Sequence, residues 1–372
     1  MPLNRLAVQS LRNLNAVDID LSDRINLFYG QNGSGKTSVL EAVSVLGQGR
    51  SFRSHKLKTL VGNDKDHFTV FGHVVDASRQ TPIGVMRSKK GDSLFKVDGK
   101  LVSAASSLAE CLPLQVINAQ TFQLLDGSPK QRRQFIDWLV FHVEHDFFIA
   151  WKGLQRCLKH RNSLLRRDRI AAAELAPWDR ELCLLAEKID TFRSQSLQLF
   201  IEAFEALVVE FVQLDDLKLQ YLRGWDKDRP LADVLAEGLD RDCRQGYTSV
   251  GPHRADLRIT VGGQLAADIL SRGQMKLLVC ALRIAQGYVF SQQTQRRCLY
   301  LIDDLPAELD SDYQAIMARW LVALNCQVLI TGVDRLVLEA PWGEYPEISK
   351  SVFHVEHGNV VAADKASTTK TQ

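Results

Sequence analysis

The run Ile25, Asn26, Leu27, Phe28 is short and mostly apolar, which predicts a buried strand, and Val39, Leu40, Ala42, Val43 and Leu46 then recur at helical spacing. Residues 1 to about 125 read as strands gathered around that helix, with Asp98-Gly99 between LFKV and KLV as a two-residue hairpin signal. From 126 to 245 the pattern changes to long amphipathic helices. Strands resume near 247, where Gly262-Gly263 marks a second hairpin; a helix follows from 272 to about 291, then the strongly apolar strand CLYLID at 298–303. Residues 362–372 have the composition of a disordered tail.

This order predicts an α/β fold in which one domain, 1–125 and 246–361, is interrupted by a helical lobe, 126–245. Between the first strand and helix lies GQNGSGKTS, residues 30–38. Strand, glycine-rich loop and helix in that order are the context of a phosphate-binding loop. Gly30, Gly33 and Gly35 permit a tight turn whose N–H groups point inward, and the helix adds its positive N-terminal end. Gln31, Asn32, Ser34 and Ser38 complete the cradle. Lys36 is expected on the β- and γ-phosphates of ATP and the Thr37 hydroxyl on Mg²⁺. The competing reading is a glycine-rich turn that binds nothing.

Such a loop needs a second strand ending in an acid. CLYLIDD supplies Asp303 as the metal-side carboxylate and Asp304 to orient or deprotonate the attacking water. Two ionised groups after a buried strand are costly unless a metal or ligand uses them.

Across 372 residues, 45% apolar and 24% charged content is that of a globular protein, and a formal charge of +2 requires any basic surface to be local. No apolar run approaches the ~18 residues of a membrane span, and the N-terminus lacks a signal-peptide core, so a cytoplasmic protein with no membrane partner is expected. Seven scattered cysteines contain no C-x-x-C pair and read as buried thiols. The sequence HVEH occurs at 142–145 and 354–357 without metal-site spacing.

One helical stretch, 151–169, has a local charge pattern. Trp151, Leu154, Leu158 and Leu165 fall in an apolar stripe, while Lys152, Arg156, Lys159, Arg166 and Arg167 gather on an adjoining face with Asp168 as the sole acid within the stretch. This face is either a contact for DNA phosphates or a solvated surface.

Leu270-Ser271-Arg272-Gly273-Gln274 resembles the L-S-G-G-Q signature of ABC-type ATPases, although read alone it is also a helix N-cap. Residues 305–310, LPAELD, match the ABC D-loop. With FYGQNGSGKTSVLEA, GRSFRS (49–54), GDSLFKVDGK, GSPKQRRQFIDW (127–138), YTSVGPHRADL (247–257) and LSRGQMKLL (270–278), the chain resembles the RecF family of SMC-like ABC ATPases over nearly its whole length.

That resemblance implies an ABC ATPase head in which the P-loop of one subunit and the signature of another enclose one ATP, with Ser271, Gly273 and Gln274 on the nucleotide. It implies an ATP-dependent homodimer and a weak, DNA-stimulated ATPase. It also implies binding to single-stranded, duplex and gap-junction DNA, and partnership with RecR and RecO in loading RecA on SSB-coated strand. Besides Arg272, which replaces the first glycine of the signature, the chain departs from the wider ABC pattern at three further places. Asp304 stands where Glu is usual, as in the RecF branch; Ala119-Gln120 stand where relatives show Pro-Glu, making Gln120 the Q-loop candidate; and Thr331-Gly332 stand where a switch histidine is expected. The competing functions are a cytosolic ATPase subunit of a membrane transport complex and a chromosome organiser with a long coiled coil.

Overall fold

Alternating buried and exposed positions along Leu3–Leu11, His67–Asp76 and Arg79–Ser88 give these strands one face to pack and one to solvate. In this computed structural model, which describes residues 2–54, 56–76, 79–167 and 171–363, they build an antiparallel six-stranded sheet. Its order is Leu14–Asp20, Leu3–Leu11, His67–Asp76, Arg79–Ser88, Ser93–Val97, Lys100–Val102. The last two strands form the hairpin expected at Asp98-Gly99, where both residues have positive φ, 53° and 75°.

A second six-stranded sheet runs in the order Asn359–Ala362, Lys350–Glu356, Ile25–Tyr29, Gln327–Gly332, Leu299–Ile302, Leu114–Ile117. Its pairings are parallel except at the edge formed by Asn359–Ala362. Leu299–Ile302 is buried at every position, as the apolar run requires of a strand covered on both faces. The helix Lys36–Gln48 is buried everywhere except at Thr37 and Gln48. Its Val39, Val43 and Leu46 share one apolar cluster with Leu6, Val8 and Phe68 of the antiparallel sheet and with Phe28, Leu301 and Leu329 of the parallel one. Both sheets therefore clamp the helix that follows the loop.

The chain divides into two compact units, Met1–Thr121 with Lys276–Gln372, and Phe122–Met275. The second unit extends past the expected boundary at 245 because Leu217–Leu222 pairs along its length with Asp256–Val261, which in turn pairs with Gln264–Leu265. Gly262 and Gly263 form the second expected hairpin turn, with φ of 56° and 80°. The helices of this unit are Pro129–Val143, Phe147–Leu165, the 40-residue Ala172–Phe211, and the short Leu231–Glu237 and Leu239–Gln245. Ser128 and Gln131 form a capping box ahead of Pro129, which fixes the start of the first.

Buried and half-buried arginines hold this unit together. Arg132 is bidentate to Asp256, Arg133 donates to the Ala255 carbonyl at 2.7 Å, and Arg193 bridges Asp137 and the Pro252 carbonyl. Stretches 127–138 and 247–257 are thus two sides of one ionic and hydrogen-bonded seam. Arg161, fully buried, reaches Asp179, Asp242 and Thr248. Residues 364–372, most of the expected tail, and Asp168 lie outside the described residues.

Candidate functional site

The loop from Gly30 to Gly35 leaves the strand Ile25–Tyr29 under tight steric limits. Gly30 has φ +153°, and a Cβ there would stand 2.2 Å from the Val355 carbonyl oxygen. Gly35, at φ +119°, is the N-cap of Lys36–Gln48, with Asn13 Nδ2 at 3.0 Å from the place of its absent Cβ. A side chain at either position would displace the loop, which is the physical reason for glycine. Asn13 also donates to the Gly33 carbonyl and accepts from Ser38 Oγ at 2.8 Å, tying the loop to its helix.

Lys36 Nζ donates to the carbonyls of Gly30 and Gln31 at 2.7 and 2.9 Å. Burial lowers its pKa, and the negative charges of Asp304 and Asp303 partly restore it. Ser34 Oγ is buried with no hydrogen-bond partner among the described residues. A buried hydroxyl without a partner, in a glycine-rich loop that leads into a helix N-terminus, fits an anionic ligand at the loop.

The acidic strand end comes directly to this loop. Thr37 Oγ1 donates to Asp303 Oδ1 at 2.9 Å, and Thr331 Oγ1 donates to the same oxygen at 2.8 Å while accepting from the Asp304 N–H. Thr37 and Asp303 present adjacent hard oxygen ligands, the donor set Mg²⁺ takes when phosphates and water complete its shell. Asp304 caps the short helix Leu305–Glu308 from a left-handed conformation. Its pKa is raised, first by burial and then by the charges of Asp303 and Glu308, against a lowering by Lys36.

Asn32, Gly33, Gly35, Lys36, Thr37, Ser38, Asp303, Asp304 and Thr331, but not Gly30, Gln31 or Ser34, line a cavity of about 530 Å³ together with Arg12, Asn13, Arg53, Thr59, Val61 and Asn63. The sequence reading missed that second wall and Thr331. Arg12 and Arg53 both turn toward Glu41, a fully buried carboxylate of the loop helix, with Arg12 bidentate at 2.8 and 3.0 Å and Arg53 at 3.7 Å. Arg53 lies within GRSFRS, a stretch whose chemistry the pattern alone left unassigned. Gln120 is exposed and does not line the cavity.

Other predicted residues lie elsewhere. Ser271 caps Arg272–Thr294 through a reciprocal pair: its N–H donates to Gln274 Oε1 at 3.0 Å, and its Oγ accepts from the Gln274 N–H at 3.2 Å. Ser271 and Gly273 are exposed and Gln274 is half-buried. On Phe147–Leu165, Leu154, Leu158 and Leu165 are buried as expected, but Trp151 is 36% exposed and stacks on Phe148. Lys152, Arg156, Lys159, Arg166 and Arg167 are all exposed. Arg156 and Arg167 pair with Glu181 and Glu174, acids from outside the stretch. Lys152 sits over Phe148, and Arg166 donates to the Gly246 carbonyl.

Of the cysteines, Cys157, Cys280, Cys298 and Cys326 are buried and the other three half-buried. His354 stacks on Tyr29, and His142 is buried against Trp138 and Phe141. No helix among the described residues is long and apolar enough to cross a membrane.

Residues 2–356 match the family described as RecF/RecN/SMC N terminal domain. The chain is 58% identical over 361 residues to DNA replication and repair protein RecF of Cellvibrio japonicus (strain Ueda107), covering 97% of this chain and 99% of that one. It is 50% identical to the protein of the same name from Stutzerimonas stutzeri (strain A1501), covering 97% of each. Among solved structures it resembles the recombination mediator protein RecF-ATPrS in the RecFOR pathway, with TM-score 0.84 and 24% identity over 97% of this chain and 98% of that one. It also resembles an Smc head bound to the C-winged helix domain of ScpA, with TM-score 0.60 and 13% identity over 99% of each chain. A P-loop, an acidic strand end and an ABC-type head in one molecule, together with these full-length likenesses, place the chain in the RecF family of DNA replication and repair proteins.

Proposed function

We propose that this chain is an ATP-driven DNA-binding repair protein, active in the cytoplasm as a homodimer when ATP is bound. The observation that carries this is the contact of Thr37 with Asp303 beside Asp304, which assembles the two halves of a nucleotide-hydrolysing site. Lys36 exchanges its loop carbonyls for β- and γ-phosphate oxygens. Thr37 and Asp303 would hold Mg²⁺, which supplies charge neutralisation at the phosphates. Asp304 positions the attacking water and accepts its proton, a role that a raised carboxyl pKa favours. Arg12, Arg53 and Asn63 contact the remainder of the nucleotide.

Ser271, Gly273 and Gln274 of the partner copy close over the γ-phosphate, so that ATP joins the subunits. Lys152, Arg156, Lys159, Arg166 and Arg167 contact DNA phosphates at gaps and junctions, and slow hydrolysis resets binding. RecR, with RecO, is the partner through which RecA is loaded on SSB-coated strand; the solved relative described as a mediator of the RecFOR pathway supports this reading. An ATPase assay with and without duplex, gapped and single-stranded DNA tests the proposal, with light scattering alongside. ATP-dependent dimer and a DNA-raised rate are expected; a rate and a mass indifferent to every DNA form would contradict it.

A further inference from the structure

Lys276 belongs to the stretch LSRGQMKLL but does not line the nucleotide cavity. Its helix is locked just beyond it, since Leu277, Leu278, Val279 and Cys280 are all buried, so the base of the lysine side chain is fixed. Its half-buried ammonium reaches the far end of Leu305–Glu308, the short helix that Asp304 begins. There it lies 2.6 Å from Glu308 Oε2 and donates to the Glu308 carbonyl at 3.2 Å. One cation thus meets both a helix-end carbonyl and a carboxylate, groups that a helix C-terminus leaves in need of positive charge.

Four residues make no stable helix alone, because nucleation fixes more dihedrals than it gains hydrogen bonds. Leu305–Glu308 consequently takes its place from its ties. Leu305 is buried, Thr331 Oγ1 accepts from the Asp304 N–H at 2.8 Å, and Gln314 donates to the Leu309 carbonyl at 2.6 Å. Lys276 supplies the tie at Glu308, whose side chain is only 19% exposed. A carboxylate so shielded is costly without a cation, so loss of the ammonium favours its swing toward water, with the helix end following. At the other end Asp304 holds φ 55° and ψ 49°, a conformation that a residue with a side chain keeps only while its surroundings enforce it. Asp304 lines the cavity beside Asp303 and Lys36, so relaxation of its main chain re-aims its carboxylate.

We propose that Lys276 is a positioning residue for ATP hydrolysis: it holds the end of Leu305–Glu308 and thereby keeps Asp304 aimed at the attacking water. The inference rests on the reading of Asp304 as the group that directs that water. Lys276 acts on the chemical step rather than on nucleotide binding, because Lys36 and Thr37 take their places from Gly30, Gln31 and Asp303.

The test is single-turnover hydrolysis by the full chain in excess over ATP, with affinity measured separately by titration of a fluorescent ATP analogue. Lys276→Met should slow the chemical step about tenfold or more, while affinity for the analogue stays within about twofold. Lys276→Arg, whose guanidinium can meet the carbonyl and the carboxylate together, should recover most of that loss. Lys276→Gln, which keeps a donor without the charge, gives the same reading should the methionine variant melt below the assay temperature. An unchanged chemical step in the neutral variants, a slowing matched by an equal loss of affinity, or an arginine variant as slow as the methionine one would overturn the proposal. A parent protein that binds ATP without hydrolysing it would overturn the underlying reading of Asp304, and the proposal with it.

Discussion

Asp304 holds a left-handed backbone conformation, φ 55° and ψ 49°, with its N–H fixed by Thr331, so its carboxylate is aimed by the main chain as well as by its own rotamer. Burial and like charge raise its pKa, and the acid limb of hydrolysis should therefore lie above the range of an ordinary aspartate. Glu308→Gln removes one of the raising charges and should move that limb to lower pH in a rate-against-pH profile. The linkage has the same origin. The folded state holds the proton of Asp304 more tightly than the unfolded chain, so stability present below the unfolded pKa is lost as pH rises through the folded one. Asp304→Asn should raise the melting temperature at neutral pH, with the gain vanishing in acid, while ATP-dependent dimers form and persist without turnover. Thr331→Val should slow hydrolysis about tenfold or more by releasing Asp303 and the Asp304 N–H. The two acids were legible because ionised groups after a buried strand demand a use. Thr331 was not, since its part follows from parallel pairing of Leu299–Ile302 with Gln327–Gly332, which no local pattern announces.

The helix Lys36–Gln48 carries the loop between two sheets, and a charge lies within that apolar layer. Glu41 is fully buried, bonded by Arg12 and by Ser51 at 2.5 Å. Glu41→Ala leaves the Arg12 guanidinium without its carboxylate, bonded still to the Thr59 carbonyl, and should cost about 3 kcal/mol in urea unfolding. Helical spacing showed where this helix runs, but its burial on every side depends on a second sheet whose placement the sequence left open. The helix Phe147–Leu165 is similar. Its apolar stripe was visible, yet Arg161 is buried among acids at 179 and 242, and Arg156 and Arg167 meet acids of the helix Ala172–Phe211. Lys152 and Lys159 should then carry more of the DNA binding than those two arginines. Neutralising both lysines should lower the slope of log K against log salt by about 0.9 for each phosphate no longer neutralised, equally for all sequences; an unchanged slope would return the face to solvent.

The order of strand-rich and helical segments led to the expectation of a discontinuous head with an inserted lobe, and the chain divides into Met1–Thr121 with Lys276–Gln372, and Phe122–Met275. The return point was not legible, because Leu217–Leu222 pairs with Asp256–Val261 across a long separation and draws residues up to Met275 into the second unit. The P-loop and the signature serine belong to different units of the chain, and the proposed function has them meet between two copies, at one ATP. That shared site is the central claim. Mixing Lys36→Ala protein with Ser271→Arg protein, each inactive alone, tests it most directly by light scattering and hydrolysis. In a mixed dimer both lesions fall in one site, and the other keeps an intact lysine from one chain and an intact serine from its partner. The account predicts that the mixture regains ATP-dependent dimer and part of the hydrolysis; no dimer and no hydrolysis at any mixing ratio would contradict it.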